Sequence, residues 1–315
     1  MTVSVSRNRY ETFGDCVRIA NDAAELYVTT EFGPRVIYYA LRGGENFFYT
    51  NEAKNYLQKG PAFDEAFYRG AHWDVYGGNR LWRCPHHFPT VFYPDHDPVQ
   101  VEKTEGGVAF VAAPQITNNV QNRVEVRLDA ETSRVEMRYA IENLGPEEKK
   151  IGCWALNVCK VGGISVFPQP QTPLGFIPNR HITLWDYSDM RDPRVHWGKK
   201  YVTLRGDPDA TGPIKIGINN VDGWAFYVNN GACFVQRFQH VDGAEYADFG
   251  VSYETYANPY FLELESLSPL RTLKPGESVT HAESWELFPC DASLDPEDED
   301  AIDSFVQRYV VGRPV

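Results

Sequence analysis

Short apolar runs separated by turn residues recur along nearly the whole chain. Runs at 26–29, 35–40, 108–112, 124–128, 135–141, 224–228 and 233–238 are rich in Val, Ile, Tyr and Phe. Gly33-Pro34, Gly43-Gly44, Gly106-Gly107, Gly162-Gly163 and Asn230-Gly231 punctuate them as turns. The piece from Arg134 to Tyr139 alternates polar and apolar residues, the pattern of a strand with one wet face. Helical spacing is scarce. Residues 51–58 read as one short helix, and about 296–310 as a C-terminal helix. The latter has acidic residues in its first turn and Ile302, Phe305, Val306 and Tyr309 at helical spacing. Many short strands with frequent turns predict an all-β fold, a large antiparallel β-sandwich with a short C-terminal helix, as one domain over 1–315.

The most chemical stretch is Phe261-Leu262-Glu263-Leu264-Glu265, followed by Leu273-Lys274-Pro275-Gly276-Glu277. On a strand, Glu263 and Glu265 project from the same face. Pro275 presets φ for a turn and Gly276 supplies φ > 0. A further strand-like run, 279–288, carries His281, Glu283 and Trp285 on one face. Ionisable groups on adjacent apolar strands suit a site that moves protons or holds a polyol. The same alternation also describes a half-exposed strand with its Glu face in water.

Composition narrows the partner. The 315 residues are 43% hydrophobic with a formal net charge of −13, which argues against nucleic acid and against anionic membrane surfaces. No apolar run reaches spanning length and no leader pattern opens the chain, so a cytoplasmic location is expected. The six cysteines are scattered, with no C-x-x-C pair, and read as small buried hydrophobes. His86, His87, Asp95, His96 and Asp97 carry metal-ligating atoms. Adjacent histidines diverge on extended backbone, so a surface loop is the expectation and no metal or other cofactor is assigned. No dinucleotide-binding or nucleophile-elbow context is present.

Three segments carry a resemblance. Phe32-Gly33-Pro34-Arg35-Val36-Ile37 precedes Gly44-Glu45-Asn46, Gly77-Gly78-Asn79-Arg80-Leu81-Trp82 follows, and the Leu-Glu-Leu-Glu run lies ahead of the Pro-Gly-Glu turn. In order and spacing they resemble the galactose mutarotase-like (aldose 1-epimerase) superfamily over nearly the whole chain. By overall phrasing the chain is most similar to a bacterial branch distinct from the housekeeping mutarotases. The resemblance implies a sandwich fold, a sugar-binding Arg at Arg80 and a catalytic Glu at Glu265 or Glu263. It departs in one place. The mid-chain strand that should carry a catalytic His reads Gly152-Cys153-Trp154-Ala155-Leu156-Asn157.

Mutarotation needs a base for the anomeric hydroxyl and an acid for the ring oxygen. The expectation is therefore Glu265 or Glu263 as base and His72 or His240 as acid. Arg80, Trp73, Asn79, Trp154, Asn157 and Trp185 are expected to bind a small-molecule or oligomeric carbohydrate, since sugars stack on aromatic faces and bond to Arg and amides. The function implied is a carbohydrate-active enzyme of aldose 1-epimerase type. A non-catalytic sugar-binding protein, or a lyase or hydrolase on the same fold, stands as the alternative.

Overall fold

A computed structural model describes residues 2–311. Two large antiparallel sheets face one another across an apolar core. The eleven-stranded sheet holds, side by side at its centre, Val36–Leu41, Gly78–Cys84, Lys149–Lys160, Phe261–Leu267, Tyr253–Ala257 and Ile214–Ile218. The ten-stranded sheet centres on Ala232–Phe238, Ser278–Pro289, Val135–Asn143 and Val120–Leu128. Leu262, Leu264, Tyr139, Phe234 and Trp285 meet between them. This is the expected sandwich.

Helix is sparse, also as expected, but the first short one is displaced. Residues 51–58 run as turn and strand, and the helix is Pro61–Ala66. Pro61 at its first position supplies a preset φ, and Asp64 lies in the first turn. At the other end Glu299–Val306 is α-helical, passes into a wider turn over Gln307–Val311, and is capped where Asp298 accepts from the Ala301 N–H. Its apolar stripe, Ile302, Phe305 and Val306, covers the outer side of the ten-stranded sheet against Trp224, Phe226 and Phe288.

Two turns place the chemistry. Gly77 and Gly78 both have positive φ, and a Cβ on either would stand 2.0 Å from Tyr49 O or 2.2 Å from Val36 O. Only glycine lets the Arg80 strand pack so closely on its neighbours. At Lys274–Glu277, Gly276 takes φ +80° and the Glu277 N–H donates to Lys274 O at 3.0 Å. That turn carries the chain from the eleven-stranded sheet, where Arg271–Leu273 pairs with the Lys149 strand, into the ten-stranded one. The Glu263 strand and the His281 strand therefore belong to different layers and do not pair with one another.

Candidate active site

On Phe261–Leu267, alternation turns Leu262 and Leu264 inward to the core and Glu263 and Glu265 outward. Arg80 and Trp82, Trp154, Glu254 and Tyr256, and Lys215 rise from the neighbouring strands on that same outer face. Loops roof it, so charged side chains are sequestered there. Arg80, Glu263 and Lys215 keep a few per cent of exposure, while Glu254 and Glu265 keep none.

Two ion pairs organise the cluster. Arg80 donates from Nη2 to Glu263 Oε1 at 2.9 Å. Lys215 Nζ lies 2.9 Å from Glu265 Oε2 and 2.7 Å from Glu254 Oε2. Glu265 Oε2 also accepts from Trp154 Nε1 at 2.8 Å. Rings flank the cations. The Arg80 guanidinium lies 4.3 Å from the Trp82 centroid and 5.5 Å from that of Trp73. Lys215 lies 4.4 Å from Trp154 and 4.7 Å from Trp185. The exposed His86 imidazole packs 5.6 Å from Trp154 and 6.1 Å from Trp82. Tyr56, Tyr187, Tyr256 and Tyr260 pair at the rim.

Three carboxylates face two cations, and four buried atoms of the group lack a hydrogen-bond partner: Arg80 Nε, Glu254 Oε1 and Oε2, and Glu265 Oε1, although Glu254 Oε2 faces the Lys215 ammonium. Desolvation raises Glu254 well above the ordinary carboxylate range, with Lys215 pulling it back and Glu265 pushing it further up. Desolvation likewise raises Glu263, opposed by Arg80 and reinforced by Glu265. Burial alone would weaken the Lys215 ammonium. Its two carboxylates win and hold it above its usual value. His86 moves the other way, lowered by desolvation first and then by Lys215.

The structure thus brings together Arg80, Glu263, Glu265, Trp73, Trp154 and Trp185 from among the residues expected at the site. Asn79 and Asn157 do not join them. Each is offset by an odd number of positions from the outward residue on its strand, Arg80 or Trp154. Both point into the core, where Asn79 Nδ2 donates to Asn157 Oδ1 at 3.1 Å and to Tyr139 Oη at 3.0 Å. His72 turns to the opposite side of its short strand from Trp73, and its Nε2 lies 3.2 Å from Asp74. His240 stacks on Tyr246 and bonds Ser252 Oγ at 2.8 Å. Neither imidazole bonds a carboxylate of the cluster. His281 and Glu283, on the other sheet, face the core.

Lys215, Glu254 and Tyr187 escaped the sequence reading, and His86 was considered there only as a metal ligand. A lone Lys between Ile214 and Ile216 was the available signal. A surface depression of about 970 Å³ is lined by Arg123, Arg138, Arg271 and Thr280. None of the five charged residues of the cluster borders it, so the site rests on its chemistry rather than on volume. A separate convergence involves His96, which lies not with His86 or His87 but beside His72 and Asp74, the three offering ligand atoms within 4.8 Å of one another. All six cysteines are free and buried.

With this geometry in view, the fold has clear relatives. The architecture is the galactose mutarotase-like sandwich. YeaD of Salmonella typhimurium, provisionally assigned as a mutarotase, superposes with a TM-score of 0.57 at 9% identity, over 90% of this chain and 94% of that one. A galactose mutarotase-like protein from Clostridium acetobutylicum gives 0.51 at 12%, over 91% and 99%. A TPR-domain containing protein from Parabacteroides distasonis gives 0.60 at 15% over 90% of this chain, which spans about half, 48%, of that longer protein. No family model and no curated protein matches the sequence. Among the described residues, no helix is long and apolar enough to cross a membrane.

Proposed function

We propose that this protein binds a sugar or sugar acid on the outer face of its eleven-stranded sheet and interconverts its anomers by proton transfer. The observation that carries the reading is the ring-lined cluster of three carboxylates and two cations, with buried polar atoms left unpartnered. Unpartnered buried polar groups are costly and imply something that satisfies them.

Glu263 is the proton-transfer carboxylate in this reading. Of the two glutamates on the strand, it is the one that keeps some exposure, whereas Glu265 is enclosed and held by Lys215 and Trp154. His86, at the lip beside Trp82 and Trp154, is its partner. Burial raises the carboxyl, while the rings packed against the otherwise exposed His86 desolvate its imidazole and, with Lys215, lower it, so the two proton affinities approach one another. That suits a reaction whose two halves exchange the roles of acid and base. One group takes the anomeric hydroxyl proton as the bond from that carbon to the ring oxygen breaks. The ring oxygen keeps the electron pair and takes a proton from the other group. Rotation about the adjacent carbon–carbon bond and the reverse steps give the other anomer. Arg80 and the tryptophans hold hydroxyls and ring faces.

Exchange of anomers measured by NMR, over a panel of neutral aldoses and uronic acids, tests this. At least one sugar should interconvert faster than in buffer, and Glu263→Gln should slow it roughly 10²–10⁴-fold. Binding without acceleration of any sugar would instead establish the non-catalytic reading, which the existing pairing of Glu263 by Arg80 favours.

A further inference from the structure

The short strand His72–Asp74 and a loop histidine assemble a second group of donors outside the sugar cleft. His72 and Asp74 are two apart on extended backbone and share a face. Asp74 Oδ2 lies 3.2 Å from His72 Nε2 and 3.7 Å from His96 Nε2. The two imidazole rings are 4.6 Å apart. A metal bound at about 2.0–2.2 Å by each ligand would hold donor atoms roughly 3–3.5 Å apart, which is near the two distances from Asp74, all three donor atoms lying within 4.8 Å of one another. The carboxylate is largely buried, at 11% side-chain exposure, and among the described residues no Lys or Arg pairs with it. The imidazoles, at 40% and 26%, leave one side open to solvent.

The surroundings orient this group. Tyr76 Oη lies 2.9 Å from His96 Nδ1, the ring nitrogen that does not face Asp74. Partners of this kind fix the tautomer and direction of ligating histidines. Next along the chain, Asp95 is clamped by Arg35 at 2.5 Å, and its carbonyl accepts from the Gly33 N–H at 3.0 Å. The loop that presents His96 is therefore held in place by contacts independent of the imidazole.

We propose that His72, Asp74 and His96 form a binding site for a divalent transition metal of the zinc class, with water in the open position. Two imidazoles and one carboxylate are the donor set such ions take, and the hard cations Mg²⁺ and Ca²⁺ do not. His96 Nε2 now donates to His72 O at 2.9 Å. The metal displaces that proton, and Nδ1–H then donates to Tyr76 Oη. The ion ties the loop at His96 to the strand His72–Asp74, which presents Trp73, the ring lying against Arg80. Its role is to position the sugar cleft, and it stands whether or not the cleft is catalytic.

The test uses the full chain, stripped with a chelator and titrated with Zn²⁺ alone, read by calorimetry and elemental analysis. Co²⁺ is a second probe, read by the visible bands of a low-coordinate N/O site. The expected result is one tight site per chain and a rise in thermal midpoint. His72→Ala, partly exposed and tolerant of change, and Asp74→Asn should abolish both. Tyr76→Phe, which keeps the ring, should weaken Zn²⁺ binding roughly 10–100-fold. No saturable binding would overturn the proposal. So would Zn²⁺ binding that survives unchanged in His72→Ala and Asp74→Asn, since the ion would then sit elsewhere.

Discussion

The two sides of one strand hold two clusters of acids built on opposite principles. Outward from Phe261–Leu267, Glu263 and Glu265, with Glu254 beside them, are balanced by formal cations, Arg80 and Lys215, and covered by rings. Inward, Ser266 on the same strand meets Glu283 and His281 of the facing sheet. Glu283 has no Lys or Arg partner among the described residues. Neutral donors surround it instead: Ser266 Oγ, Gln236 Nε2, Trp285 Nε1 at 2.9 Å and Tyr139 Oη at 3.1 Å. Desolvation raises its pKa, and those four donors pull it back. His281, desolvated, is lowered to about 4 and stays neutral. The Glu283 carboxylate is thus satisfied by neutral donors, Gln236 Oε1 being the one atom of this group left without a partner, and a network of this sort specifies a core. The outer cluster leaves buried atoms unpartnered beneath an aromatic rim, which a structural network has no need to do.

The largest contrast should come from the cation. Lys215→Met would leave Glu254 and Glu265 facing each other with no counter-charge. Denaturant unfolding near neutral pH should show a loss of about 3–5 kcal/mol. The loss should shrink at acid pH, where Glu254, already raised by desolvation, takes up a proton and the uncompensated charge falls. A variant as stable as wild type near neutrality would mean the outer charges are not interdependent.

The inner cluster should answer to pH through His281. Its folded pKa is about 4 against a usual value of 6.5, so the unfolded chain binds the proton more readily. This contribution is fully present above about pH 6.5 and fades as pH falls toward 4. At about 1.4 kcal/mol per pH unit it amounts to roughly 3 kcal/mol at most. His281→Gln should flatten that part of the stability–pH curve without altering sugar binding. An unchanged curve would place the imidazole in contact with water.

The smallest effect should appear at the rim. Removing one stacking ring, as in Trp185→Leu, should weaken sugar affinity by about 0.5–1.5 kcal/mol, up to roughly tenfold, in calorimetric titrations. An unaltered affinity would move the sugar away from the Lys215 end of the cleft.

Much of this was legible in the sequence. The Leu-Glu-Leu-Glu alternation put both glutamates on one face, and the turn-separated strands gave the sandwich. Alternation also held information left unread. Asn79 follows Gly78 and precedes Arg80, so it had to face the opposite way, and the same parity separates Asn157 from Trp154. Other features depend on strand order, which local pattern does not encode. Lys215 and Glu254 come from strands that are far apart in the chain from Arg80, and only the pairing of Ile214–Ile218 with Tyr253–Ala257 brings them to Glu265. The Pro-Gly turn looked like a hairpin joining Glu263 to His281, but it passes between sheets. His86 reaches the cleft through loop packing on Trp82 and Trp154, which no periodicity announces.

The contrast between the two clusters is tested most directly by measuring anomer exchange for Glu263→Gln and Glu283→Gln side by side, on whichever sugar the wild type turns over. The account predicts a loss of roughly 10²–10⁴-fold for Glu263→Gln and a rate close to wild type for Glu283→Gln, whose change falls on stability. Equal rates in the two variants, or a loss confined to Glu283→Gln, would contradict it.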